Sequence, residues 1–331
     1  MTAPVIDRNA KRLAAAAAVL ILVAAGCMIW AAQHTGGLPD RACWGSIKAR
    51  DLENAAPRNG AWKVKEGTDH RGDATCTIRK GDWTTTVTVM KTPLRTHLWW
   101  QLGAVPLGGR LPGMVKPGEK RTDGWLYLGP CGNRIVNADV PSSGTDDRAS
   151  IDLTARLLLA VGDTRIRDCG GQTPFPAAHL QELDPRPRNA DPTPCGIPGL
   201  PPSLDGNGED LAQLGTIDIA DAISRCAVIK REDAAGSAAF GPGLLGVTLV
   251  HDPKVVAALS PTGIRATVTA TRGAQLVLTD EDLRYDRDGV TEVVCGTERR
   301  YVHLITTGTD ADHAHSKRAV LNLVAESLGC G

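Results

Sequence analysis

Phenylalanine and tyrosine are nearly missing from this chain: two Phe and three Tyr in 331 residues. A core stacked from aromatic rings is therefore excluded, and Ala, Val, Leu and seven Trp must supply the buried volume. Net charge is missing too, since 37 Lys and Arg balance 37 Asp and Glu. Nothing concentrates basic residues into a nucleic-acid footprint, and there is no acidic tail. The chain has no G-x-S-x-G, no S-x-x-K, no Walker loop and no H-E-x-x-H, so none of the common catalytic signatures applies. No two ligands fall at C-x-x-C or H-x-x-x-H spacing, which argues against a tetrahedral zinc site. No catalytic residue, cofactor or metal ligand is assigned from the sequence.

Charge is also absent from Leu13 to Ala32, a run long enough to cross a bilayer as a helix. Arg8, Lys11 and Arg12 precede it and put residues 1–12 in the cytoplasm; the next charge is Asp40. The pattern predicts a single-pass anchor over 13–32, a polar spacer over 33–42, and an extracytoplasmic bulk. Two alternatives remain at this stage. Leu13 to Gly26 also suits the h-region of a cleaved signal peptide, and Ala24-Ala25-Gly26-Cys27 is similar to a bacterial lipobox, which would provide a lipid anchor on Cys27. Met28-Ile29-Trp30 after it are apolar, unlike the polar start of a mature lipoprotein.

Nine cysteines are present. With Cys27 set aside, the others fall as Cys43, Cys76, Cys131, Cys169 and then Cys195, Cys226, Cys295, Cys330. Four and four in an oxidising compartment predict two disulfides per domain. The halves also match in order. Cys131-Gly132 opens an apolar run, a polar turn and a helical pattern closed by Cys169-Gly170, and Cys295-Gly296 to Cys330-Gly331 repeats it. Cys76-Thr77-Ile78-Arg79-Lys80 parallels Cys226-Ala227-Val228-Ile229-Lys230. This predicts a tandem duplication. Domain 1 spans 43–171, a linker 172–194 carries six prolines, and domain 2 spans 195–331.

The expected fold class is α+β: after the transmembrane helix, two mutually similar domains, each a mostly antiparallel sheet with its last helix packed on one face. Strands are expected over Ala61–Lys65, Ala74–Lys80, Trp83–Lys91, Gly124–Leu128 and Arg134–Ala138. In the second half they are expected over Ala222–Lys230, Leu244–His251, Ile264–Thr271, Ala274–Thr279, Thr291–Val294 and Arg300–Thr306. Helices are expected over Ser46–Ala56, Leu94–Leu102, Asp147–Gly162, Glu209–Gly215, Pro253–Leu259 and Ala311–Leu328. Leu107 to Gly118, rich in Gly and Pro, reads as an irregular loop. A strand leaving Cys131, a turn and a returning helix bring Cys169 back to Cys131, and Cys330 to Cys295 likewise. Cys43–Cys76 and Cys195–Cys226 then remain.

Few residues suggest a site. Trp99 and Trp100, beside the Gly/Pro loop with Arg110, form a possible binding surface, although two core-filling tryptophans are the simpler reading. The acidic turns Asp280-Asp282-Asp286-Asp288-Gly289 and Asp205-Gly206-Asn207-Gly208-Glu209 lack the full spacing of a calcium loop. His313 and His315 are two apart on a helix and do not face one another.

The lone N-terminal span, the run from Leu107 to Gly113, the strand ending in Pro130-Cys131-Gly132 and the helix ending in Cys169-Gly170 resemble membrane-anchored extracytoplasmic proteins of Streptomyces and related actinobacteria. The excess of Arg over Lys is similar to the usage of GC-rich genomes of that group. The opening Cys, short helix and later Cys in a strand also resemble small actinobacterial cell-envelope lipoprotein domains. The resemblance implies a location and carries no activity. It leaves the expectation of a tethered binding or interaction module, partnered by the cytoplasmic membrane through residues 13–32 and by an envelope protein or cell-wall glycan, with no nucleic acid. An envelope hydrolase with an unrecognised site and a scaffold subunit of a membrane complex are the alternatives.

Overall fold

A computed structural model describes residues 40–53, 55–91, 104–132, 134–142, 148–171, 175–178, 180, 186–187, 193–200, 211–218, 220–230, 245–259, 265–269, 275–279, 288–295, 297–306 and 310–328. The protein is α+β, with two large antiparallel sheets and few helices. Among the described residues no helix is long and apolar enough to cross a membrane, and the 13–32 run lies outside them.

The first half opens with a small hairpin, β1 (Arg41–Ala42) and β2 (Ile47–Lys48), running into α1 (Ala49–Glu53). This corrects the longer helix expected over Ser46–Ala56. Ser46 caps nothing there; the Asp51 carboxylate accepts the Lys48 N–H instead, at 3.3 Å. The sheet follows as β3 (Trp62–Thr68), β4 (Ala74–Lys80), β5 (Trp83–Met90), β6 (Val105–Pro106), β7 (Gly113–Lys116), β8 (Arg121–Leu128) and β9 (Arg134–Pro141). Its order is β3-β4-β5-β9-β8-β7-β6. The alternation in β5 is strict: Trp83, Thr85, Val87 and Val89 are buried, while Thr84, Thr86 and Thr88 are half-buried. Gly81, with φ 59°, makes the two-residue turn from Lys80 to Trp83 possible.

Helix α2 (Arg148–Asp168) lies on one face of this sheet, with Leu153, Leu157, Leu158 and Val161 buried as the periodicity predicts. It runs on past the expected end at Gly162 to meet Cys169. Glycine sets the close approach. A Cβ on Gly124 of β8 would stand 2.8 Å from Thr154 and 2.9 Å from Leu158, and one on Gly162 would stand 2.7 Å from Leu126. Thr122 and Ser150 share a buried hydroxyl–hydroxyl bond of 2.7 Å across the same contact. Beyond α2, the Phe175 N–H donates to Asp163 at 2.6 Å, and Phe175, Ala178 and Leu180 pack on this core.

The second half holds β10 (Arg186–Pro187), β11 (Leu211–Thr216), β12 (Ile223–Lys230), β13 (Leu245–Val250), α3 (Pro253–Leu259), β14 (Arg265–Thr269), β15 (Gln275–Thr279), β16 (Asp288–Cys295), β17 (Glu298–Thr306) and α4 (Asp310–Ser327). The sheet order is β10-β11-β12-β13-β17-β16-β15-β14. Glu209–Gly215 is therefore corrected from helix to strand. Leu211 to Thr216 pairs residue by residue with β12, and so short a segment has too little helical preference to resist a strand edge. The Asp252 carboxylate caps α3, accepting the N–H groups of Lys254 at 2.8 Å and Val255 at 3.1 Å. Val320 and Val324 on α4 and Leu328 just past its end are buried as expected, joined by Leu321 and Ala325, while Leu323 sits at the margin of that core.

Three disulfides brace the described residues: Cys43–Cys76, Cys131–Cys169 and Cys195–Cys226, with Cα–Cα separations of 5.4, 5.5 and 5.5 Å. Cys330 of the fourth expected pair with Cys295 lies outside the described residues. Cys43 and Cys195 share an unusual left-handed backbone, φ 52° and 60°.

Candidate functional site

The largest correction falls on Leu107 to Gly118. Rather than an irregular loop, it contributes β7 and the turn from β6 into it, and most of its residues are buried. Leu107 and Leu111 are fully buried, and the Leu107 N–H donates to the Gly113 carbonyl at 3.0 Å. Gly113 is there because β7 passes so close to β8 that a Cβ would stand 2.4 Å from the Trp125 carbonyl oxygen. Glycine here permits pairing instead of preventing it.

This segment forms a seam with the second half. The Ala222 N–H donates to the Gly109 carbonyl at 2.6 Å, and the Asp221 carboxylate accepts the Gly109 N–H. Burial, then the charge of Asp218, raises the Asp221 carboxyl above its ordinary range. The fully buried Arg225 guanidinium donates from Nη1 to the Ala104 carbonyl at 2.9 Å, and burial lowers its pKa to about 10, so it remains a cation at neutral pH. Beneath these bonds, Ala104, Met114, Trp125, Tyr127 and Ile135 pack against Ile223, Val250, Val255 and Val256. The first half offers the sheet face opposite α2; the second offers strand ends and α3. Burial, then the charge of Asp252, raises the Tyr127 hydroxyl pKa. Arg110, expected in a binding surface, is exposed beside this seam. Trp99 and Trp100 lie outside the described residues, as do Asp205 to Glu209 and Asp280 to Asp286. Asp288 and Gly289 begin β16, and His313 and His315 lie in α4.

The remainder of the first sheet's outer face is polar. Cross-strand register puts Lys65, Thr77, Thr86, Asp139, Asp123 and Lys116 in one row across six strands. Thr75, Thr88 and Asn137 form the row beside it, running into Trp125 under the seam. Arg121 is ion-paired through Nε to Asp139, and its Nη2 donates to the Thr84 carbonyl at 3.0 Å. Asp123 sits directly opposite Asp139, and burial followed by repulsion from Asp139 raises its carboxyl above the ordinary range. Chemically this is an array of hydroxyls, an amide, two carboxyls and two lysines, suited to hydrogen bonding. Among the described residues no cluster of three or more His, Cys, Asp or Glu is arranged to hold a metal.

Sequence reasoning passed over this face. Its signal lies in polar residues placed at alternate positions of otherwise apolar strands, Thr84-Thr86-Thr88 and Asn137-Asp139. Trp125-Leu126-Tyr127-Leu128 carries the complementary signal, since a strand apolar on both faces needs a cover on both.

Compared with known protein families, curated proteins and solved structures, the sequence matches none.

Proposed function

We propose that this protein is a membrane-tethered, extracytoplasmic binding module of the cell envelope, built from two copies of one cysteine-braced unit. The observation that carries the reading is the bridging of cysteines in both halves, which belongs to an oxidising compartment. The charge-free run from Leu13 to Ala32, with cations on its N-terminal side, supports the tether. Two features support duplication: the two sheets follow the same strand order apart from β10, and Cys43 and Cys195 share their left-handed backbone. The open outer face of the first sheet is the binding surface, and its partner is an envelope protein or a cell-wall glycan.

The test is topology in intact cells. Spheroplasts treated with a protease that cannot cross the membrane lose everything beyond Asp40 and keep a short membrane-embedded fragment. Protection of the whole protein would overturn the reading. Changing Cys27 to Ser abolishes a lipid-dependent gel shift if Cys27 carries a lipid anchor and changes nothing for a single span.

One observation favours an enzyme as the second reading. Asp123, with its raised carboxyl, faces the ion-paired Asp139, an arrangement that separates a proton donor from a charged partner. An envelope hydrolase built on that pair would lose activity on wall polymers in Asp123→Asn, with binding of the polymer retained.

A further inference from the structure

We propose that the outer edge of β3 is a docking site for an extended peptide strand bearing acidic side chains at alternate positions. The molecule contains its own precedent. At the matching edge of the second sheet, β11 carries an added antiparallel strand, β10, through Arg186 opposite Gln213 and Pro187 opposite Ala212. Among the described residues β3 pairs only with β4.

β3 suits an incoming strand. It pairs with β4 over seven consecutive residues, Trp62 to Thr68, without a bulge or a proline. Its far side therefore offers backbone donors and acceptors at the regular two-residue repeat that strand addition uses. The strand is also held in place. Trp62 stands edge-on to Trp83 at 6.0 Å, the Lys80 ammonium lies 4.7 Å over the Trp62 ring, and the Glu66 carboxylate accepts the Trp44 N–H at 2.7 Å beside the Cys43–Cys76 bridge. An edge that is already ordered loses little entropy when a peptide is added.

Charge selects the partner. Lys63 and Lys65 are exposed and lie on the outer face, with exposed Arg79 directly across from Lys63. Two residues apart on a strand is roughly 7 Å, which is also the spacing of alternate side chains on an extended peptide. Carboxylates at those positions meet the two lysines, and the backbone supplies the register. Lysines on an edge strand also serve to repel other strands. The two roles differ in outcome: a guard lysine discourages every strand, whereas a docking lysine favours an acidic one.

The inference rests on reading the protein as an interaction module, and its measurement is separate from topology. The full-length protein in nanodiscs is titrated against a fluorescent peptide alternating Glu and Val, with anisotropy as the readout. Parallel titrations use the same peptide with Lys for Glu, the acidic peptide N-methylated at alternate amides, and soluble cell-wall glycan. Binding of the acidic peptide is expected. N-methylation and the double variant Lys63→Glu/Lys65→Glu should each weaken it about tenfold or more, the variant now preferring the basic peptide. No binding of the acidic peptide, equal binding of the N-methylated one, or displacement of the peptide by glycan would overturn the inference. So would a double variant Lys63→Ala/Lys65→Ala that self-associates on sedimentation without losing peptide affinity, since the lysines would then be guards.

Discussion

The two sheets follow one strand path, yet they meet their surroundings in opposite ways. Among the described residues the first sheet ends at β3 with no further strand, and it lends its face to the seam. The second has β10 paired to two residues of its edge strand, β11, and lends strand ends and α3 to the same seam. The contact is therefore head-to-tail: each half uses a surface that the other does not offer in return. A shared topology does not dictate shared surfaces. The side chains on the outer face decide, and there the first sheet has Trp125, Tyr127 and Ile135 to bury.

Breaking that seam should have the largest effect. Trp125 is fully buried between the halves. Trp125→Ala should cost about 3–5 kcal/mol. It should also split a single calorimetric transition into two, because the apolar cluster joining the halves loses its largest member. A variant that still unfolds in one step would show that the bonds from Ala222 and Arg225 to the first half suffice to couple them.

The braces test the likeness of the halves. Cys43–Cys76 and Cys195–Cys226 close loops with sequence separations of 33 and 31. In the chain-entropy account each stabilises by about 4 kcal/mol. Replacing either pair by Ser should therefore lower stability by nearly the same amount in urea unfolding. Unequal losses would mean that one half holds its cysteines together without the bond.

Which parts of this arrangement could be read beforehand depends on whether local or long-range physics decides them. β4 and α3 fall at their expected bounds, because alternation in Ala74–Lys80 and a proline at the first helical turn, Pro253, are local signals. The stripe Leu153-Leu157-Leu158-Val161 is likewise a matter of spacing. Gly108, Gly109 and Gly113 misled because glycine signals a turn locally, while at Gly113 a neighbouring strand passes too close for any Cβ. Leu211–Thr216 misled because its conformation comes from β12, not from its own residues. The polar face left a signal in alternate positions, but the pairing of Asp123 with Asp139 needs register, since the two aspartates are 16 positions apart in the sequence and meet only across β8 and β9.

A smaller effect sharpens the comparison of the two covering helices. α2 lies over Gly124 and carries Gly162, whereas α4 has no glycine between Asp310 and Ser327. Gly124→Ala would force Thr154 and Leu158 outward and should cost about 1–3 kcal/mol through overpacking. The urea midpoint should fall in proportion. An unchanged midpoint would mean that α2 shifts on its sheet without loss, and that close approach is no requirement of the first half.

The smallest effect compares two carboxyls, Asp123 on the open face and Asp221 at the seam, both raised above the ordinary value of 3.8 and both chiefly by burial. A carboxyl that holds its proton more tightly folded than unfolded stabilises the fold relative to neutral pH only while protonated. That contribution is complete below 3.8 and is lost as pH rises through the folded value. At pH 7 both groups therefore carry a residual cost. Asp123→Asn removes it and should raise stability by a fraction of a kcal/mol, given partial exposure to solvent, with the gain vanishing as pH falls toward 3.8. Asp221→Asn should gain less, because the ionised Asp221 is the better acceptor for the Gly109 N–H and the amide gives up that advantage. Equal gains from both would mean that the Asp221 bond contributes nothing to holding the seam, which would then rest on its apolar cluster and Arg225.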